Sequence, residues 1–209
     1  MRELLRNASK ELLQRLVLRE SFAWRMRASE VALTFDDGPH PEFTARLLDV
    51  LAKHRVKATF FVVGEHVDRH PQLARRIVEE GHAIGGHSYD HTVITSQSAQ
   101  ALASDMMRCR ESIRRAANVD SILFRPPKGE VSFSALMRLK RLGYRVIHWS
   151  RTYSDYRQDG TEALLGRMRQ HAPNGGDILL FHDHNPFTVQ ALAAEIPVWQ
   201  QRGLKFATL

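Results

Sequence analysis

Two adjacent carboxylates, Asp36 and Asp37, stand directly before Gly38-Pro39, and further on His87 and His91 place two imidazoles four residues apart. Neighbouring residues leaving a strand point in different directions, so one carboxylate can bind a metal ion while the other faces a water as general base. Imidazoles at the second spacing can be aimed at a single ion by one helical turn. Each pattern alone has a plainer explanation. An Asp-rich stretch before Gly-Pro also makes a turn or a helix cap, and 11 histidines in 209 residues give about 0.6 pairs at that spacing by chance. His66 and His70 are another such pair, expected to be solvated surface residues because they lead a helical segment stopped by Pro71 and do not directly follow a strand. Arg125 precedes Pro126-Pro127-Lys128-Gly129, where the prolines make the direction of the guanidinium reproducible. It can hold a carboxylate by bidentate hydrogen bonds or remain a surface arginine. His148-Trp149, Asp155-Tyr156 and Leu180-Phe181-His182 complete the set.

These groups need elements that bring them to one place. From Val31 onward short apolar runs alternate with longer amphipathic stretches, as in repeated strand-helix units. Seven strands are expected, at 31–35, 58–63, 82–84, 122–124, 145–149, 177–181 and 204–208. Helices are expected near 43–54, 71–80, 98–117, 133–142, 161–171 and 187–201, several bounded by Gly or Pro. A parallel series of this number favours a barrel, complete or not, over an open sheet. In such folds the loops after the strands open on one face, and five of the expected strand ends carry the groups named above. Residues 3–24 put Leu5, Ala8, Leu12, Leu16 and Phe22 near one helical face, which reads as an amphipathic helix packed on the domain or, as a lesser reading, resting its basic face on anionic lipid. The expected division is therefore an N-terminal helical extension over 1–28 and a β/α domain over 29–209.

Composition narrows the function. A net charge of +7 calls for an anionic partner to be considered, but the basic residues are scattered over helices and no motif with interleaved aromatics points to nucleic acid. Arg75-Arg76 and Arg114-Arg115 read as solvated helix faces. The lone Cys109 excludes an internal disulfide and a Cys-based zinc cluster, and beside Met106 and Met107 it reads as packing. No stretch approaches the roughly 18–20 apolar residues that span a bilayer. The short apolar groups near the N-terminus, broken by Glu3, Glu11 and Glu20, do not form a signal-peptide core. The expected location is the cytoplasm or the periphery of the inner membrane.

In this order and spacing the residues resemble the polysaccharide deacetylase family, carbohydrate esterase family four, which includes the rhizobial chitooligosaccharide deacetylases. The likeness runs from Val31 to Leu209. It rests on Thr34 to Pro39, on a His-Ser/Thr-x-x-His element at His87 to His91, on Arg125, Pro126, Pro127 and Gly129, and on Leu180 and His182. The resemblance makes 29–209 the catalytic domain and implies a distorted β/α barrel and a hydrolase that removes N-acetyl groups from a sugar polymer, an oligosaccharide or a lipid-linked glycan. It implies that Asp37, His87 and His91 bind a divalent ion, usually zinc, that Asp36 is the base and His182 the acid. Arg125 would orient Asp36, Asp155 would tune His182, and Pro127, Lys128, Gly129, Trp149, Tyr156 and Leu180 would shape the sugar site. Three N/O ligands with an open position suit hydrolysis on chemical grounds as well. Lys128 stands where the family usually has an aromatic residue, Thr152 where it has Asp, Tyr156 where it has Trp, and Gly86 where Asn is common. Lys128 and the net charge together suggest an anionic or phosphate-linked glycan, although a solvated lysine is the simpler account. Two other functions compete: the same site acting on a formamide or a small cyclic amide, and a catalytically silent glycan-binding barrel. The second would be free to lose Asp36 or His182, and both are present.

Overall fold

The computed structural model describes residues 21–27 and 29–209. Its strands are β1 (Phe22–Ala23), β2 (Glu30–Asp36), β3 (Thr59–Val62), β4 (Ala83–Gly86), β5 (Leu123–Phe124), β6 (Arg145–Ile147), β7 (Arg151–Thr152), β8 (Ile178–His182) and β9 (Lys205–Phe206). The helices are α1 (Phe43–His54), α2 (Gly64–Arg69), α3 (Pro71–Glu79), α4 (Ala99–Ala117), α5 (Phe133–Arg141), α6 (Thr161–Gln170) and α7 (Pro186–Gln201). β2 is buried on both faces from Val31 onward, as a parallel strand covered by helices must be. Its successive side chains alternate between two layers. Val31, Leu33 and Phe35 share an outer core with Leu47, Leu48 and Leu51 of α1 and Trp199 of α7, whereas Ala32 packs inward with Phe61, Ile147 and Ile178. Truncating a fully buried aromatic such as Trp199 or Phe35 costs about 3–5 kcal/mol.

All ladders of the sheet are parallel, in the order β1-β6-β5-β4-β3-β2-β8-β7, with β9 beside the start of β2. Residues 148–150 carry the chain from β6 to β7 at the opposite end of the sheet, and an isolated antiparallel bridge joins Arg25 to Asp177 near the start of β8. The result is a distorted α/β barrel, as expected. The register places Asp36 directly beside His182 across the β2–β8 ladder, so two of the candidate groups are fixed by backbone pairing alone. Capping fixes several helix starts: Ser98, Ser132 and Asn185 each accept a hydrogen bond from a backbone N–H three residues on.

All seven expected strands are present, but β1 and β7 were not expected. A two-residue strand shows no alternation to read, and β7 is polar. The helix expected over 3–24 is corrected at its end, because Phe22–Ala23 pairs with Val146 and Ile147 of β6 and joins the barrel; residues 3–20 of that helix lie outside the described residues. The short α2 was also unexpected. It starts at Gly64, with Val63, the residue after β3, at the N-cap position and no side-chain cap, so His66 comes one helical turn after a strand.

Candidate active site

Asp36 ends β2 with its side chain buried inside the barrel. Its Oδ1 accepts a hydrogen bond from Arg125 Nη1 at 2.7 Å. Arg125, fully buried, leaves the end of β5 and spends its donors on Thr34 Oγ1 (2.7 Å) and the carbonyls of Ile147 (3.3 Å) and His148 (3.2 Å) as well. The contact with Asp36 is therefore a single bond rather than the bidentate pair expected. The guanidinium also lies 4.2 Å from the centre of the Phe61 ring. Burial pushes the arginine's pKa down, and Asp36 opposes that; a buried charge of this kind is tolerable only when paired and hydrogen-bonded.

Asp37, one residue on, points elsewhere, as adjacency demanded. Its Oδ1 lies 3.4 Å from His87 Nε2 and 3.2 Å from His91 Nε2, and the three residues offer ligand atoms within 4.8 Å of one another, the one such group among the described residues. The imidazoles are not presented by a helical turn. His87 to His91 run as an irregular loop in which Ser88 and His91 have φ of 65° and 62°, and Tyr89 N–H is anchored on Asp105 Oδ1.

The donor set fits a divalent cation on two counts. Asp37 Oδ1 is buried and has no hydrogen-bond partner, an arrangement that costs stability unless a cation takes the lone pair. His87 Nδ1 lies 2.7 Å from the Arg125 carbonyl, which only accepts, so Nδ1 carries the proton and Nε2 is left as a ligand. Burial alone would raise the Asp37 carboxyl, but His87 and His91 outweigh it and hold it well below the usual carboxylate range. The contact with Asp37 raises His91 in turn.

On the other side of Asp36, His182 Nδ1 stands 2.9 Å from Asp155 Oδ1, while Asp155 Oδ2 accepts from the His182 backbone N–H and from Thr188 Oγ1. Burial would lower this imidazole; Asp155 overcomes it and the pKa rises to about 9. With Nδ1 bound to the carboxylate, Nε2 is the nitrogen left for the cavity.

That cavity, about 350 Å³, is lined by Asp36, Asp37, His87, His91, Lys128, Gly129, Trp149, Tyr156, Leu180 and His182. Ten of the thirteen candidates thus meet in one place. Arg125 and Asp155 lie behind the wall as supports, and Pro127 is buried in the 3₁₀ turn below Lys128 without reaching the lining. Gly129 has φ of 67°, and a Cβ there would stand 2.4 Å from Trp149, so a close approach to the indole requires glycine. Tyr156 is exposed and meets His182 edge-on, ring centres 6.2 Å apart.

Sequence reasoning missed a second group. A cavity of about 460 Å³ opens beyond Asp37 and His91, lined also by His40, His66, His70, Arg69 and His184. The expectation that His66 and His70 are solvated is corrected: both are half-buried, and His66 Nδ1 stands 2.8 Å from the Asp37 carbonyl oxygen. His184 was overlooked although it stands two residues after His182. Asp183, between them, is fully buried, and burial pushes its carboxyl up to about 7. A Cβ at Gly38 would come within 2.1 Å of its Oδ2, which accounts for glycine after the paired carboxylates.

Comparison with known proteins finds related sequences and folds. The polysaccharide deacetylase domain family matches residues 25–147. A chitooligosaccharide deacetylase of Rhizobium leguminosarum bv. trifolii is 34% identical over 193 residues, covering 86% of this chain and 89% of its own. A crystal structure of a peptidoglycan N-acetylglucosamine deacetylase superposes with a TM-score of 0.87 at 31% identity, over 92% of each chain. A carbohydrate esterase family four pseudoenzyme from Bacillus anthracis superposes with a TM-score of 0.84 at 26% identity, over 90% of this chain and 67% of that one.

Proposed function

The chain belongs to the polysaccharide deacetylase family, and on that premise we propose that it hydrolyses the N-acetyl group of an N-acetylated glycan, with Asp36 as base and His182 as acid. The observation that carries the reading is the β2–β8 register, which sets Asp36 and His182 side by side at the edge of the Asp37–His87–His91 group. In this reading those three residues hold a divalent ion, for which two imidazoles, one carboxylate and an open position suit zinc. When bound, such an ion supplies Lewis acidity to the acetamide carbonyl and makes water a better nucleophile.

The residues of the chain do the rest. Asp36, kept in place by Arg125, takes a proton from the attacking water as its oxygen bonds to the carbonyl carbon. His182 gives its proton to the sugar nitrogen as the C–N bond breaks, and Asp155 favours the protonated imidazole until that step. Acetate and a free amino sugar leave. Leu180 provides an apolar floor for the acetyl methyl, and Trp149 and Tyr156 offer ring faces to the sugar. Lys128, in the cavity lining, together with the net charge of +7, supports a substrate bearing an acidic group, free or lipid-linked. An unchanged KM for such a glycan in Lys128→Ala would remove that refinement. The catalytic unit in this reading includes Phe22–Ala23, so it begins before residue 29. Among the described residues no helix is long and apolar enough to cross a membrane.

The test is mass spectrometry of N-acetylglucosamine oligomers and acid-bearing N-acetylated glycans incubated with the zinc-loaded chain, beside chelator-treated and Asp36→Asn samples. Acetyl loss confined to the untreated sample supports the reading. Persistence in Asp36→Asn would overturn the assigned base, and turnover of formamides or cyclic amides alone would overturn the substrate.

A further inference from the structure

Asp37 has φ of 73°, in the left-handed region that L side chains other than Asn and Asp seldom enter. A residue kept there needs surroundings that fix it. Two imidazoles outside the triad meet it, one at the backbone and one at the side chain. His66 Nδ1 lies 2.8 Å from the Asp37 carbonyl oxygen, and since a carbonyl only accepts, Nδ1 is the protonated nitrogen of that ring. His184 Nδ1 lies 3.5 Å from Asp37 Oδ2, a packing contact longer than the hydrogen bond made by His66. Oδ2 is the oxygen left over when Oδ1 faces His87 and His91. Both rings line the cavity on the far side of Asp37, and they come from separate elements, α2 and the turn between β8 and α7.

We propose that His66 and His184 are positioning residues that hold Asp37 so that Oδ1 is presented, without a hydrogen bond of its own, between the Nε2 atoms of His87 and His91. His66 restrains the left-handed backbone through its hydrogen bond, and His184 limits rotation of the carboxylate by lying against Oδ2. This inference rests on the metal-holding role proposed above for Asp37, His87 and His91, and extends it to two residues that do not touch the ion. Outer partners of this kind are known to set the orientation and affinity of metal ligands.

The chemistry at Nδ1 gives a discriminating test. An Asn amide nitrogen lies near the position of an imidazole Nδ1, whereas a Gln amide nitrogen lies nearer that of Nε2. Zinc affinity is measured by competition with a chromophoric chelator on the purified chain, so the readout does not depend on turnover. Expected are a roughly 10- to 100-fold weaker affinity in His66→Gln and in His184→Gln, and recovery of most of it in His66→Asn and His184→Asn. Thermal unfolding of the metal-free variants separates lost positioning from lost folding. Zinc bound as tightly by the Gln variants as by the parent would overturn the proposal, and so would Asn variants as weak as their Gln counterparts. A parent chain that binds no zinc would overturn the metal reading itself, which distinguishes the two failures.

Discussion

Two histidine pairs with the same four-residue spacing flank Asp37, and they are built differently. His87 and His91 lie in a loop after β4 whose two left-handed residues bring the rings to 5.1 Å between centres, and both turn Nε2 to one carboxylate oxygen. His66 and His70 lie on α2 and at its junction with α3, and only His66 has a hydrogen bond to Asp37, through Nδ1 and a backbone carbonyl. Convergence of the two Nε2 atoms on Asp37 Oδ1 comes from the loop's backbone geometry, which frees the rings from helical spacing; of the helix-borne pair, one ring meets the Asp37 carbonyl and the other only lines a cavity.

Several measurements break or sharpen this contrast. The largest effect is expected from the loop pair: His87→Ala or His91→Ala should lose zinc by more than the roughly 100-fold ceiling for outer partners, as read by chelator competition. Retention of zinc in either variant together with its loss in His66→Gln would reverse the assigned roles. Asp36→Asn should lower kcat by about 10²- to 10⁴-fold while leaving zinc affinity nearly intact; a matching loss of zinc would mean that the two adjacent carboxylates are not divided as described. Arg125→Met, which leaves Asp36 buried without its cation, should destabilise the fold by about 3–5 kcal/mol in chemical denaturation, and a smaller loss would mean that water reaches the pair.

The pH profile provides a finer probe. In its proposed role as acid His182 must be protonated, and its pKa is raised to about 9, Asp155 outweighing the lowering by burial. Removing the anion in Asp155→Asn lowers that pKa, so the alkaline fall of kcat/KM should move to lower pH. A limb that stays in place belongs to another group. The smallest effect is expected at His70, which lines the neighbouring cavity without a hydrogen bond to Asp37; Gln there should change zinc affinity less than about 2-fold.

Much of the barrel and most of its site were legible because they rest on strong local patterns: short, mostly apolar runs, Gly and Pro at boundaries, and polar groups placed just after strands. The seven main strands and Asp36, Asp37, His87, His91 and His182 are of this kind. What was not legible depends on neighbours distant in sequence. Phe22–Ala23 is a strand because β6 is there to pair with it, and no periodicity over two residues announces that. The single bond between Arg125 and Asp36 reflects competition from Thr34 and two carbonyls that meet only in the fold. His184 escaped notice because His182 accounted for the segment, although the His-Asp-His run was a signal in plain view.

Arg125 ties β5 to residues at β2 and β6 through the barrel interior, and its partner Asp36 is as deeply placed. Loss of either alone leaves a stranded charge in the core, so, contrary to the expectation that a silent barrel would be free to lose Asp36, that position carries a folding cost of its own. His182, near the surface of the cavity, imposes less of one. A barrel of this kind that gave up turnover would therefore be expected to shed His182 at less cost to its fold than Arg125 or Asp36.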